Sequence, residues 1–426
     1  MNTSLERRRL ITGVAKLGLA SMAAPALLLR PGWSQTGPIK IGLIEPRSGP
    51  NKYIGDSRIA AAEFVADKVN AAGGLLGRKL EFIAVESEMK PDVASRRAND
   101  LILGEKVAAV SAFGGGLAKV VAQICNSNNK IFFSTSTLPT EMTSTEFLPT
   151  TFSLAFNSEM LAQSVAAHIA KTNLSKVYIL CQDYASGRSA ATTFRKRFTQ
   201  IKKPEQTIVG EEYHPPFKIN DFAPYITKIM ASGADTLMTA NFGPDLRLLV
   251  QQGHQLGWKV KIVGFYLNDA TLTSAVGEAS LGHVTTGVNM VTLKTPLNTQ
   301  TIAEWRAKYP NAPLDHRVPD LQTGQALAGN QWLVDVIRKA GSLDTAALIK
   351  AWEGDSREIL WGPAQMRACD HQLQSGCGVA TIMKAADIPA EIRFFPEFPY
   401  IGPATVIPVE AVSVPAQETG NKRCSA

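Results

Sequence analysis

Beyond residue 35 the sequence has no apolar run approaching the ~20 residues needed to cross a bilayer, which leaves no spanning helix in the remainder of the chain. It also lacks the spacings that metal and catalytic chemistry use. Histidines at 168, 214, 254, 283, 316 and 371 are scattered, without an H-E-x-x-H pair, and cysteines at 125, 181, 369, 377 and 424 contain no C-x-x-C. No G-x-S-x-G nucleophile turn, G-x-G-x-x-G fingerprint or G-x-x-x-x-G-K-[ST] phosphate loop can be read. Triads can assemble from distant residues, so these absences weaken an exported hydrolase or dehydrogenase without closing that reading. The expectation is a protein that is not an enzyme and that carries no cofactor and no metal.

What the sequence does contain begins with an address. Arg7, Arg8 and Arg9 precede Leu10 to Leu29, which are mostly apolar and small, and then Pro31, Gly32 and a polar stretch. This order is that of an export signal over residues 1–35, and the adjacent arginines followed by Leu10 and Ile11 favour the twin-arginine type over the ordinary secretory one. No cysteine lies between Ser21 and Ile39 to take a lipid anchor. A free product in the periplasm of a Gram-negative bacterium is therefore expected, without stable membrane insertion. Of the formal net charge of +7, residues 1–35 supply +4 through Arg7, Arg8, Arg9, Lys16 and Arg30 against Glu6. The small remainder gives no argument for nucleic acid.

From Ile39 onward, short apolar runs alternate with amphipathic stretches, the rhythm of β-α-β units around a parallel sheet. Ile39 to Ile44, Leu80 to Val85, Val107 to Val110 and Ile131 to Phe133 read as strands. Ala61, Phe64, Val65, Val69 and Ala72 recur at helical spacing up to a stop at Gly73-Gly74. Pro91 opens another helix. A second series repeats the rhythm: strands at Lys176 to Leu180, Thr236 to Thr239 and Val260 to Val263, with helices at Gly187 to Gln200, Asp221 to Ala231 and Asp245 to Gln255. Two similarly built lobes follow, without a sequence repeat behind them. Gln322 to Ala340 and Asp344 to Trp352 are further helices, and the tail from Pro415 is polar and expected to be loose. Cys369 and Cys377 form the expected disulfide, because eight residues close a hairpin-like loop; Cys125 and Cys181 are expected to be buried.

Several landmarks occur in order: Ser48-Gly49-Pro50, Gly55-Asp56, Asn70-Ala71-Ala72-Gly73-Gly74 with Gly77, Asp183-Tyr184-Ala185, Phe242-Gly243-Pro244-Asp245, and Arg367 with Asp370-His371-Gln372. Over residues 38–385 this resembles the leucine/isoleucine/valine-binding family, the type I periplasmic solute-binding proteins of ABC importers. The resemblance implies an α/β fold of two lobes, each a mostly parallel sheet flanked by helices, joined by a hinge that the chain crosses several times. Lobe 1 would take residues 38–155 and 288–362, lobe 2 residues 156–287 and 363–412, with 413–426 a tail. It implies a small-molecule ligand held between the lobes, permease and ATPase subunits as partners, and a monomer.

In that family the ligand carboxylate is held by two segments, which here correspond to Phe113-Gly114-Gly115-Gly116 and Ser134-Thr135-Ser136-Thr137. Glycines stand in the first where the family has a serine, so only backbone donors carry over at Gly115 and Gly116. Ser136 and Thr137 are the expected hydroxyl contacts. Tyr53, Tyr184 and Phe242 correspond to aromatic residues that wall the ligand. Tyr266 falls where amino-acid binders place an acid to pair with the ammonium group. A buried ammonium without a charged partner costs several kcal/mol. Unless a three-residue shift brings Asp269 forward, a carboxylate or amide lacking an amino group fits better than an amino acid, which remains the alternative. A ligand-sensing module for a receptor would carry the same sequence features.

Overall fold

The computed structural model describes residues 37–425. The export signal expected over residues 1–35 lies outside the described residues. From Pro38 onward the described residues form one compact unit.

The first sheet is built by β1 (Ile39–Glu45), β2 (Leu80–Glu86), β3 (Ala109–Ala112), β4 (Ile131–Ser134) and β5 (Thr151–Ser153), all parallel, in the order β2-β1-β3-β4-β5. The crossovers between its first four strands are α1 (Lys52–Ala71), α2 (Pro91–Asn99) and α3 (Gly115–Ser127). Strand β1 is buried along almost its whole length, as a continuous apolar run predicts for a strand covered on both faces. Helix α1 ends where Gly73 and Gly74 turn at φ 96° and 88°. A Cβ at Gly74 would fall 2.3 Å from the carbonyl oxygen of Arg78, so only glycine fits there.

The second sheet repeats the plan. Its parallel strands are β6 (Lys176–Gln182), β7 (Thr207–His214), β8 (Thr236–Thr239), β9 (Lys261–Gly264) and β10 (Val284–Gly287), in the order β7-β6-β8-β9-β10. This is the strand order of the first sheet with new strands. Helix α4 (Ser158–Ala170) leads into it, and α5 (Ala185–Ile201), α6 (Ala223–Ala231), α7 (Gly243–Gln255) and α8 (Ala270–Val276) serve its crossovers. The chain then passes through α9 (Pro296–Lys308), α10 (Leu321–Ala340) and α11 (Thr345–Trp352). A small antiparallel sheet follows, made of β11 (Ser356–Ile359), β12 (Gly362–Met366) and β13 (Leu373–Ser375). Finally β14 (Cys377–Met383), with β15 (Tyr400–Ile401) and β16 (Thr405–Ile407), extends the second sheet antiparallel to β10. Two similarly wound lobes with repeated crossings between them are thus present, the architecture implied by the resemblance. Trp305, Trp332 and Trp352 are fully buried, and Phe64 of α1 packs on Trp305 of α9 with ring centres 5.3 Å apart, tying that late segment to the first sheet.

Two expectations are corrected. The disulfide joins Cys369 to Cys424, with Cα atoms 5.0 Å apart, while Cys377 is free and buried in β14. Pairing of β14 with β16 sets Cys377 opposite Ile407 with its side chain buried, and leaves Cys369, in the turn between β12 and β13, to a partner far along the chain. The tail is accordingly pinned rather than loose. Besides the disulfide, Arg423 pairs with Glu353 at 2.6 Å, Asn421 donates to the Thr143 carbonyl at 3.2 Å, and Arg367 donates to the Val414 carbonyl at 2.7 Å. The Asp370-His371-Gln372 landmark is a packing device: His371 stacks on Phe152 at 4.0 Å with its nitrogens engaged by Thr151 and Glu353, and Gln372 donates to Ala155.

Candidate functional site

Both sheets change winding direction at one point, between β1 and β3 and between β6 and β8, and open α/β sheets bind ligands beyond the C-terminal ends of strands at such points. A cavity of about 270 Å³ lies there. Nearly all its lining follows a strand end: Met89 and Pro91 after β2, Phe113 to Leu117 after β3, Ser136 and Thr137 after β4, Tyr184 and Ser186 after β6, Pro216 and Phe217 after β7, Phe242 after β8 and Tyr266 after β9. Gln322, in the first turn of α10, completes it. None of these sixteen residues carries a charge.

The wall from the first sheet is small and rich in donors. Gly114, at φ 93°, precedes α3, so the first N–H groups of the helix, at Gly115 to Leu117, have no acceptor within the helix and start beside the cavity, an arrangement that suits an anion. A Cβ at Gly115 would meet the Pro139 ring at 2.9 Å, whereas one at Gly116 would meet nothing within 4 Å. The 134–137 loop is held from behind. Buried Arg58 donates to Glu45 at 2.9 Å, to the Thr135 carbonyl at 3.1 Å and to the Thr135 hydroxyl at 2.7 Å, and lies over the Phe113 ring. Burial pushes the Glu45 carboxyl up in pKa, while the Arg58 guanidinium pulls it back. A single buried cation thereby orients both donor segments of this wall.

The wall from the second sheet is aromatic. Phe242 is its centre, with Phe217, Tyr266 and Tyr184 packed edge-on around it at centroid distances of 5.2, 5.9 and 6.5 Å. Buried Asp245 accepts from Gln182 at 2.7 Å and from the Phe217 N–H at 2.9 Å, which fixes the loop that carries Phe217. The Tyr266 hydroxyl reaches across the cleft to the Thr137 hydroxyl at 3.4 Å. Burial pushes the Tyr184 phenol far up in pKa, so it stays a neutral donor, and its hydroxyl has no protein partner among the described residues. The Gln322 side-chain oxygen is likewise buried and unpartnered.

Of the eight residues singled out from the sequence, the cavity gathers seven: Gly115, Gly116, Ser136, Thr137, Tyr184, Phe242 and Tyr266. Tyr53 sits behind it, its hydroxyl donating to Asp269 at 3.2 Å. The shift that would bring Asp269 forward is not taken. Its carboxylate caps α8, accepting from the N–H groups of Thr271 and Leu272 at 2.8 and 3.2 Å, and does not line the cavity. Sequence reading missed Phe217, Ser186 and Gln322. The strand before Phe217, with two glutamates in Thr207–His214, gives no apolar run, and Gln322 sits at the start of a helix that touches the cavity only through the fold.

The chain matches the family model described as Periplasmic binding protein over residues 38–387. It is 25% identical over 392 residues to Leu/Ile/Val-binding protein homolog 4 of Brucella melitensis, covering 88% of this chain and 91% of that protein. Among solved structures it is similar to a leucine-, isoleucine-, valine-, threonine- and alanine-binding protein from Brucella ovis in a closed conformation, with TM-score 0.78, 21% identity, and 89% and 97% of the two chains covered. It is also similar to an ABC-transporter solute-binding protein from Rhodopseudomonas palustris BisB5 in complex with 3,4-dihydroxybenzoic acid, with TM-score 0.75, 21% identity, and 89% and 99% covered. At these identities the likeness to solved structures establishes the fold.

Proposed function

We propose that this chain, which belongs to the periplasmic binding protein family, is the exported substrate-binding component of an ABC importer and captures a small carboxylate without an amino group, best an aromatic one. The carrying observation is the uncharged cavity, aromatic on one wall and lined with backbone donors on the other. A carboxylate suits the start of α3, where orphan N–H groups and the helix dipole favour an anion, with Ser136, Thr137 and Tyr184 as further donors. A ring suits the edge-on cluster around Phe242. An ammonium group has no carboxylate to meet, and burying it alone costs several kcal/mol. Of the two ligand classes named for the solved relatives, the aromatic acid therefore fits this cavity better than the amino acids.

On this reading the protein works in the periplasm as a monomer, delivers its ligand to permease and ATPase subunits, and performs no chemistry on it. The lobes are residues 38–155 with 288–362 and residues 156–287 with 363–412, and the closed form is favoured by contacts made to both at once. The test is a thermal-shift and calorimetric comparison of benzoate, 4-hydroxybenzoate, leucine and valine. An aromatic acid at a hundredfold over its Kd should stabilise the native state by about 2.7 kcal/mol. Tight binding of leucine or valine that aromatic acids do not compete away would reject the reading.

A further inference from the structure

The polar groups that line the cavity are, with one exception, able to donate to an acid. The N–H groups at the start of α3 have no acceptor within the helix, and the Ser136, Tyr184 and Ser186 hydroxyls can turn to donate. Thr137 also carries a hydroxyl, which accepts from Tyr266 at 3.4 Å and keeps its own proton to give. Gln322 is the exception. Of the sixteen lining residues it alone brings a side-chain carbonyl, a group that can only accept. That oxygen is buried and has no hydrogen-bond partner among the described residues.

The fold fixes the backbone on both sides of this residue. Gln322 lies in the first turn of α10. Just before it, the Pro319 carbonyl accepts from the Asn289 amide at 2.7 Å, and the Asp320 carboxyl accepts from the Ala270 N–H at 3.2 Å, which ties the helix start to the start of α8. Just after it, Gly324 packs so closely on Asn289 that a Cβ there would fall 1.7 Å from the amide nitrogen. A backbone this constrained presents Gln322 to the cavity with little freedom to lose on binding. A ligand made only of a ring and a carboxylate fills the space and offers the carbonyl nothing, and a buried acceptor without a donor is costly. An ammonium could donate to it, but it brings a positive charge for which no lining residue carries a negative one. A hydroxyl donates without that charge.

We propose that Gln322 is a specificity-determining residue of this cleft and that the ligand is a hydroxy acid, its carboxylate at the start of α3 and its hydroxyl donating to the Gln322 carbonyl. The proposal rests on the carboxylate reading above and narrows it to a class. The hydroxyl stands either on the ring, as in a hydroxybenzoate, or on the carbon beside the carboxylate, as in mandelate. Both present the same donor, and the arms of the experiment separate them. Selectivity against the plain acid then comes from the carbonyl that the plain acid leaves unpaired, which discriminates more strongly than a difference in fit alone.

The experiment is calorimetric titration of the whole protein with matched acids: 3- and 4-hydroxybenzoate against benzoate, and mandelate and phenyllactate against phenylacetate and phenylpropionate. Each pair differs by one hydroxyl. In wild type at least one hydroxy acid should bind about tenfold or more tightly than its plain partner. Gln322→Met, similar in length but without the carbonyl, should bring that ratio close to unity by weakening the hydroxy acid. Gln322→Ala serves in its place if the first variant does not fold. A residue that merely supported the fold would weaken both members of a pair alike. Plain acids that bind as well as every hydroxy acid in wild type, a ratio kept in a folded variant, or equal losses for both members would each overturn the proposal while leaving the carboxylate reading standing. If no acid of either kind binds, the carboxylate reading fails and the proposal with it.

Discussion

The two walls of the cleft come from sheets wound in the same strand order, yet they present opposite chemistry. The first-sheet wall is glycine, serine and threonine at 114–116 and 134–137, so what faces the cavity is backbone and short hydroxyls. The second-sheet wall offers Tyr184, Phe217, Phe242 and Tyr266 from four separate strand ends. One fold plan therefore serves two tasks. A wall of backbone donors recognises charge with little side-chain entropy to lose, because its groups are already fixed by the helix start and the strand. A wall of rings supplies apolar area and shape. On the proposed reading, lobe closure brings the two onto one molecule, and neither alone would recognise an aromatic acid.

The sharpest way to break this division is to remove what holds the donor wall without touching the cavity. Arg58 and Glu45 are each about 1% exposed, and Arg58 ties the strand end at Glu45 to the Thr135 loop. Arg58→Met leaves a buried carboxylate unpaired and the loop unanchored. We expect a loss of about 3–5 kcal/mol of stability, read from denaturant midpoints. Because burial already raises the Glu45 carboxyl, the variant should regain part of that loss as pH falls and Glu45 neutralises. A variant as stable as wild type at neutral pH would mean that the donor wall needs no anchor.

A smaller effect tests the ring wall. Tyr184→Ala removes one of the rings around Phe242 together with an unpartnered hydroxyl, and the residue lies at the start of α5, where no side-chain cap bond is lost. Affinity for an aromatic acid should fall by about 2–3 kcal/mol, with the unliganded melting temperature almost unchanged. Tyr184→Phe should keep most of the ring contribution and lose about 1 kcal/mol for the hydrogen bond. Equal losses in the two variants would show that the wall acts through its hydroxyl, and the contrast between charge-reading and shape-reading walls would collapse.

How much of this the sequence carried depends on whether the signal is local. The strands at 39–45, 131–134 and 236–239 and the helix stop at Gly73-Gly74 are legible because buried parallel strands need continuous apolar runs and a left-handed turn needs glycine. Helix α4 escaped notice because its alanines and serines are buried almost all round and show little amphipathic contrast. Edge strand β7 escaped because its side chains are half exposed and partly charged. The Cys369–Cys424 bridge spans 55 residues, and nothing in spacing distinguishes that partner from a nearer one. Seven of the residues that line the cavity were named in advance because the family resemblance puts its landmarks in loops after strand ends. The contact of Tyr53 with Asp269 was not, since it depends on how α1 and α8 pack behind the cavity.

The finest test acts on the donor wall from within. Its glycines differ physically: position 115 is closed by Pro139, but position 116 is open, with nothing within 4 Å of where a Cβ would stand. Gly116 lies at an ordinary negative φ in the first turn of α3, so a side chain strains nothing there. Gly116→Ser adds a hydroxyl at the mouth of the anion position and replaces a poor helix former. Affinity for a carboxylate should rise by about 1 kcal/mol, roughly fivefold, with a smaller gain in stability. Gly115→Ser, pressed against Pro139, should weaken binding instead. If both substitutions changed affinity alike, the donors of this wall would not be the backbone groups at the start of α3. The ring wall would then have to recognise the ligand's charge as well as its shape.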